Sequence, residues 1–257
     1  MTPYSLDSVA WDSVAWQESW DRQQEAYLPD REERFAALLD TVAATADGPA
    51  PAVLDLAGGT GSISLRVLRR FPYATTTLLD VDPVLMTIAR QSLDQRSTVV
   101  AADLRSPDWA AGLPRQDYDA VLTATALHWI PRERLGPLYA EIRQVLRPGG
   151  VFVNVDTMPD DGLPDLTTKF GDVFRARREA RYAAGAVLSW QAWWDHVAAD
   201  PVLGPLLEQR RQVFADRHDT EWTPPVSWHL DALRTAGFAE TGLVWRGARD
   251  AAVAGVR

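Results

Sequence analysis

The chain has 257 residues, 46% of them hydrophobic, which is enough to bury one large core with a smaller appended layer. It contains no cysteine and only four scattered histidines, His128, His196, His218 and His229, which excludes disulfides, thiolate metal sites and a cysteine nucleophile and leaves no structural metal to expect. A formal net charge of -9 argues against a phosphate backbone as the main partner, no apolar run approaches a membrane span and the N-terminus lacks a signal pattern, so a cytoplasmic protein is expected.

In chain order, residues 1 to 28 repeat the pentapeptide DSVAW at 7 to 11 and at 12 to 16, too few copies for a repeat fold, which takes about three units. Trp16, Trp20 and Tyr27 are spaced to share one helical face, either of a helix docked on the core or of an aromatic flap over a ligand. Asp30 with Glu33 forms a capping-box pattern, and Phe35, Leu38, Leu39 and Val42 recur at helical spacing up to the loop Asp47, Gly48, Pro49. The stretch Val53 to Gly61, VLDLAGGTG, reads as a buried strand ending in a glycine-rich turn, followed by a helical pattern from Ser62 to Phe71. Strand-like and helix-like segments then alternate: strands at Thr75 to Leu79, Thr98 to Ala102, Ala120 to Thr123 and Val151 to Val155, helices at Pro83 to Leu93 and Arg132 to Leu146. Asp82 is placed to cap the first of these helices with Pro83 at its first position, and Arg147, Pro148, Gly149 and Gly150 stop the second. Such alternation predicts a parallel sheet covered by helices on both faces.

From Thr157 to Trp222 the alternation gives way to helical patterns rich in aromatic and charged residues. Arg175, Arg177, Arg178 and Arg181 read as a solvated helix face. Ser189 is placed to cap a helix with Trp190, Trp193, Trp194 and Val197 on one stripe, and Leu203, Leu206, Leu207, Arg210, Val213 and Phe214 mark a second helix. Tryptophan stripes read as core, although eleven tryptophans would also suit a pocket with sizeable apolar surface. The chain closes on a helix from Ser227 to Ala236, stopped by Gly237, and on two strands, Thr241 to Trp245 and Ala251 to Val256, joined by Arg246 to Asp250.

Parallel strands present their carboxyl ends to a common crevice, and two acids fall there: Asp80 after the second strand and Asp103 after the third. With the glycine turn, this set resembles the class I S-adenosylmethionine-dependent methyltransferases, over about Val53 to Asp156 and again at the C-terminal hairpin. The family pattern has glycine where this chain has Ala57. The resemblance implies a Rossmann-like seven-stranded, mostly parallel α/β sheet with an antiparallel last strand. It also implies roles: Asp55 organising the turn, Gly59 and Gly61 letting the backbone approach the methionine part with Ala57 and Gly58 in the same cofactor-binding turn, Asp80 accepting from both ribose hydroxyls, and Val81 against the adenine. Asp103 and the Leu104 N–H would hold the adenine edge, and Thr123 would contact the cofactor's amino group through its carbonyl.

In the family, the segment after the fourth strand, here Thr123 to Trp129, borders the acceptor. His128 is therefore a candidate general base or substrate-binding group, with a histidine merely packed on Trp129 as the alternative, and Trp129 and Trp20 are candidate substrate contacts. The organisation implied is a single domain, with a helical N-terminal cap over 1–48, a cofactor-binding core over 49–156, a helical substrate lid over 157–223 and the terminal helix and hairpin over 224–257. The expected function is methyl transfer from S-adenosyl-L-methionine to a small-molecule acceptor, with neither nucleic acid nor membrane as partner and a homodimer as a candidate assembly. Two alternatives stay open: a cofactor-binding protein of the same fold that does not methylate, and a nicotinamide-dependent oxidoreductase, whose fingerprint would need glycine at Ser64 and whose fold would lack the terminal hairpin.

Overall fold

The computed structural model describes residues 11–28, 30–215 and 221–257. All of the first DSVAW copy except Trp11 lies outside the described residues, as does His218. The strands are β1 (Ala52–Leu56), β2 (Thr75–Asp80), β3 (Ser97–Ala101), β4 (Tyr118–Ala124), β5 (Leu146–Thr157), β6 (Glu240–Arg246) and β7 (Asp250–Val256). They form one seven-stranded sheet in the order β3-β2-β1-β4-β5-β7-β6. The first five strands are parallel, β7 runs antiparallel to β5, and β6 pairs antiparallel with β7. The terminal hairpin is thus the one anticipated, and a nicotinamide-binding domain would not have it.

The strands are short apolar runs because both faces of the sheet are covered. Alternate side chains serve opposite faces. Val53, Ala120, Leu122, Val151 and Val153 pack under α2 (Arg31–Thr45) and α3 (Ser62–Arg70). Leu54, Leu56, Val121 and Phe152 pack under α5 (Arg132–Val145) and α9 (Val226–Thr235). A third cluster joins α1 (Ser13–Tyr27), α4 (Pro83–Ser92) and α7 (Trp190–Ala199) through Trp16, Val84, Ile88, Trp193 and Val197. Burying a large apolar side chain is worth about 1.5–3 kcal/mol, so this cluster fastens α1 and α7 firmly over the α4 side of the sheet.

The local signals mostly produce the expected elements. The Asp82 carboxylate accepts from the Val84 and Leu85 N–H groups, with Pro83 at the first helical position, and Ser189 caps α7 through the Ala192 N–H. The Asp30 capping box does not form. Asp30 lies in front of α2 but its carboxylate accepts from the Arg34 guanidinium at 2.9 Å, and Arg34 also reaches Asp250 at 2.9 Å. A buried guanidinium loses more by going unpaired than an N–H at a helix start does, so it claims the acid.

The expected stop after α5 becomes part of β5 instead. Leu146 pairs with Tyr118 and Val151 with Ala120, and the intervening Arg-Pro-Gly-Gly is accommodated as a bulge, with Gly149 at φ 75. The helix read across Leu203 to Phe214 divides into a 3-10 turn at Gly204–Leu206 and α8 (Leu207–Phe214). On α6 (Pro164–Ala183) the solvated reading holds for Arg175 and Arg177, which are exposed, whereas Arg178 lies over the Tyr27 ring and Arg181 donates to the Glu25 carbonyl, holding α6 to α1.

Candidate functional site

The carboxyl ends of the parallel strands are tied into one rim by backbone bonds that continue past the ladder. Gly58 N–H donates to Leu79 O at 3.1 Å, Ala102 N–H to Asp80 O at 3.0 Å, and Thr125 N–H to Val155 O at 2.9 Å. The glycine turn lies at the centre of this rim. Ala57, Gly59 and Gly61 all adopt left-handed backbone, at φ 55, 56 and 88. Ala57 therefore occupies a position that favours glycine, and as an L-residue it carries strain there. Gly58 is required for another reason: a Cβ there would lie 2.7 Å from the carboxyl carbon of Asp55.

Three acids stand around the turn. Asp55 is fully buried on the α3 side, where its Oδ2 accepts from the Ser64 N–H at 2.9 Å and the Ser64 hydroxyl at 2.7 Å, while Oδ1 is buried without a partner. Burial pushes its carboxyl up to about 6, with the Ser64 bonds opposing and the Asp80 charge adding. Asp80, at the end of β2, accepts from Gly59 N–H at 2.7 Å through Oδ2, and from Val81 and Asp82 N–H at 2.7 and 2.8 Å through Oδ1. Its carboxyl is also held above the usual range, by burial first, against the pull of the Asp82 and Gly59 N–H groups. Asp103 follows β3, whose Ala101 is paired with Asp80, and accepts from the Arg105 N–H at 3.0 Å. Asp80, Asp103 and the glycine turn therefore share one rim. Thr123 is fully buried with an unpartnered Oγ1, and the Leu104 carbonyl accepts from Arg134 at 3.0 Å.

On the α5 and α9 side of the same rim, the chain after β4 makes a short 3-10 turn, Leu127–Trp129. His128 Nδ1 lies 2.7 Å from Asp156 Oδ1, and the His128 N–H donates to Asp156 Oδ2 at 3.2 Å. Asp156, near the end of β5, is 2% exposed. Burial of the imidazole works against its charge, but the Asp156 carboxylate outweighs that, and Glu221 and Asp250 add to it, so the His128 pKa stands above its ordinary value. The Trp129 ring lies 4.9 Å from the imidazole and is 58% exposed, an apolar surface left open beside a titratable nitrogen. Trp20 is placed elsewhere, packed on Trp190 and Trp193 at 6.0 and 5.0 Å between α1 and α7.

Two features of the rim were missed in the sequence. Asp156 stands just after the expected strand Val151 to Val155, the same position relative to its strand as Asp80 and Asp103, so the rule that located those two acids also points to it. Thr125, at φ 52, is a β-branched residue in left-handed backbone, and nothing in the sequence marks it.

The strand order, the antiparallel β7 and the acids at adjacent strand ends are now joined by a direct comparison. The model of the methyltransferase domain family matches residues 53–150, the span from β1 into β5. Over residues 53–150 the chain is similar to the methyltransferase domain family. A trans-aconitate 2-methyltransferase of Azoarcus sp. (strain BH72) is 33% identical to the chain over 134 residues, which cover 52% of this chain and 49% of that protein. A malonyl-[acyl-carrier protein] O-methyltransferase of Paenibacillus sp. (strain JDR-2) is 26% identical over 155 residues, covering 58% and 54%. The chain spans about half the length of the curated relatives it matches. Among solved structures, the S-adenosylmethionine-dependent methyltransferase SibL in its apo form superposes with a TM-score of 0.58 at 19% identity, over 88% of this chain and 55% of that one, so the methyltransferase fold extends beyond residues 53–150.

Proposed function

We propose that this chain is an S-adenosyl-L-methionine-dependent methyltransferase that acts on a small-molecule acceptor. The observation that carries the reading is the rim itself: Asp80 bonded to the glycine turn at 2.7 Å, with Asp103 on the adjoining strand end. The residues present fit the cofactor. Thr60 Oγ1 and Thr123 Oγ1 are buried there without partners, polar atoms that a polar ligand would satisfy. Asp80 and Asp103 would hold the ribose and the adenine amino group, Val81 and the Leu104 N–H would flank the ring, and Ala57 to Gly61 would line the methionine part. Thr123 would meet the amino group and Asp55 would set the turn. When bound, the cofactor supplies a methyl group on a sulfonium, which needs alignment more than activation.

On this reading the chain is one methyltransferase domain, with 1–48 as cap and 157–223 as lid. His128 is the candidate base. Its Nδ1 is taken up by Asp156, which leaves Nε2 to receive a proton from an acceptor hydroxyl, and Asp156 acts as the positioning residue that fixes the tautomer. Trp129 supplies the apolar wall of the acceptor site. Trp20 is left out of that wall because its ring is already packed between α1 and α7. The relatives' names specify different acceptors, trans-aconitate and malonyl-[acyl-carrier protein], so the acceptor of this chain has to be read from its own rim. The test is mass spectrometry of ligand carried through purification, together with calorimetry against S-adenosylhomocysteine. Micromolar binding supports the reading, and absence of binding by folded protein overturns it.

A further inference from the structure

Helix α1 lies across the start of α3, and a single side chain reaches from one to the other. Gln17 is 5% exposed, and its Nε2 donates to the Ser62 hydroxyl at 3.2 Å. Ser62 is the first residue of α3, directly after the left-handed Gly61. Its own hydroxyl donates to Asp21 Oδ1 at 2.6 Å. Asp21 is also bonded by Arg31 at 2.7 Å and by Arg66 at 3.3 Å. Two guanidinium groups keep Asp21 ionised, so it has no proton to give. The Ser62 hydrogen must go to Asp21, and the lone pair of Ser62 must then take an N–H from Gln17. This order fixes the Gln17 amide with Nε2 on Ser62 and Oε1 turned away from it.

That Oε1 is buried and has no hydrogen-bond partner, and the same is true of Thr60 Oγ1, two residues before Ser62. The first N–H groups of α3 have no carbonyl within their own helix, and the helix start carries positive partial charge. A buried acceptor without a partner, on the helix packed across the positive start of α3, suits a zwitterion, with the ammonium on the amide oxygen and the carboxylate towards the first N–H groups of α3, of which Ser64 N–H is already taken by Asp55. We propose that Gln17 binds the amino group of the amino-acid end of the cofactor. This inference rests on the methyltransferase reading above and adds α1 to the walls of its site. A merely structural Gln17 would tether α1 to α3 and be indifferent to whether the ligand has an amino acid.

Calorimetry with two ligands separates these roles. S-adenosylhomocysteine carries the amino acid, and methylthioadenosine keeps the nucleoside and the thioether without it. Gln17→Leu should weaken binding of S-adenosylhomocysteine by at least about tenfold and change that of methylthioadenosine by less than about twofold, because only the first ligand loses a buried charge-assisted bond. Gln17→Asn keeps the amide but shortens its reach, and should give the same split if the leucine variant does not fold. Parallel weakening of both ligands, or unchanged binding of S-adenosylhomocysteine, overturns the inference alone. Wild-type protein that binds neither ligand overturns the cofactor reading, and this inference falls with it.

Discussion

Asp55→Asn gives the sharpest test of how the glycine turn is held. Burial lifts the Asp55 carboxyl from 3.8 to about 6. An acid whose pKa is raised in the fold binds a proton on folding between the two values, so its contribution to stability is greatest below the unfolded value and declines as pH rises through about 6. At about 1.36 kcal/mol per pH unit, this displacement withholds about 3 kcal/mol at neutral pH. The asparagine cannot titrate. Its amide oxygen can keep both Ser64 donations, while its NH2 group takes the place where Oδ1 has no partner. An unpaired buried NH2 costs about 1–3 kcal/mol at every pH, so the absolute change is ambiguous and the pH dependence is not. Urea unfolding of wild type and variant from about pH 3 to about pH 7 should show the difference between them moving in the variant's favour by about 3 kcal/mol. Parallel stability curves would refute the assignment, since they would mean that Asp55 ionises as readily in the fold as in the unfolded chain.

Ala57→Gly should stabilise the protein. Left-handed backbone costs an L-residue about 1–2 kcal/mol, and the added freedom of glycine in the unfolded chain returns about 0.5–1, leaving a gain near 1 kcal/mol and a Tm higher by about 2–4 °C; a lower Tm in calorimetric melting would contradict it. Asp80→Ala should weaken S-adenosylhomocysteine binding more than about tenfold and also lower Tm, because the Gly59, Val81 and Asp82 N–H groups lose their acceptor; full affinity by calorimetry would remove Asp80 from the site. His128→Ala should lower turnover and leave cofactor affinity intact, whereas equal losses in both would indicate a structural histidine. Because the His128 pKa is raised, turnover of a hydroxyl acceptor should increase as pH climbs through that raised value; Asp156→Asn should move the increase to lower pH, since burial then acts unopposed by that charge. An unmoved pH profile would leave Asp156 without a positioning role.

The parallel sheet and its terminal hairpin were legible because strands covered on both faces must be apolar runs, and the helices between them announce their own starts, as Asp82 and Ser189 do. Signals that depend on one partner nearby in sequence survived folding when nothing distant competed. Asp30 failed as a cap because the buried Arg34 guanidinium, which also donates to the distant Asp250, made a stronger demand on its carboxylate. The bulge in β5 was hidden because Arg-Pro-Gly-Gly is a stop signal locally, and only pairing with β4 carries the chain through. Asp80 and Asp103 could be placed on one rim from strand-end position alone. The partnership of His128 with Asp156 and the reach of Gln17 to Ser62 span 28 and 45 positions, and no local pattern encodes contacts of that kind.

The strand-end acids occupy equivalent places in the topology but are left with different capacities, and the difference follows from counting lone pairs. A carboxylate offers about four acceptor positions. Asp80 spends three on backbone N–H groups, two on Oδ1 and one on Oδ2, so its free capacity lies on Oδ2, beside Gly59. Asp55 keeps Oδ1 entirely free, yet at the bottom of the turn, where a Cβ on Gly58 would collide with it. Asp156 turns both oxygens to His128, with Oδ1 also accepting from the Thr157 N–H at 2.8 Å. The same sheet geometry thus yields an acid with an open position beside the glycine turn, an acid that shapes the backbone and an acid bonded to a histidine, and it is the donors each one meets, rather than its place at a strand end, that decide which.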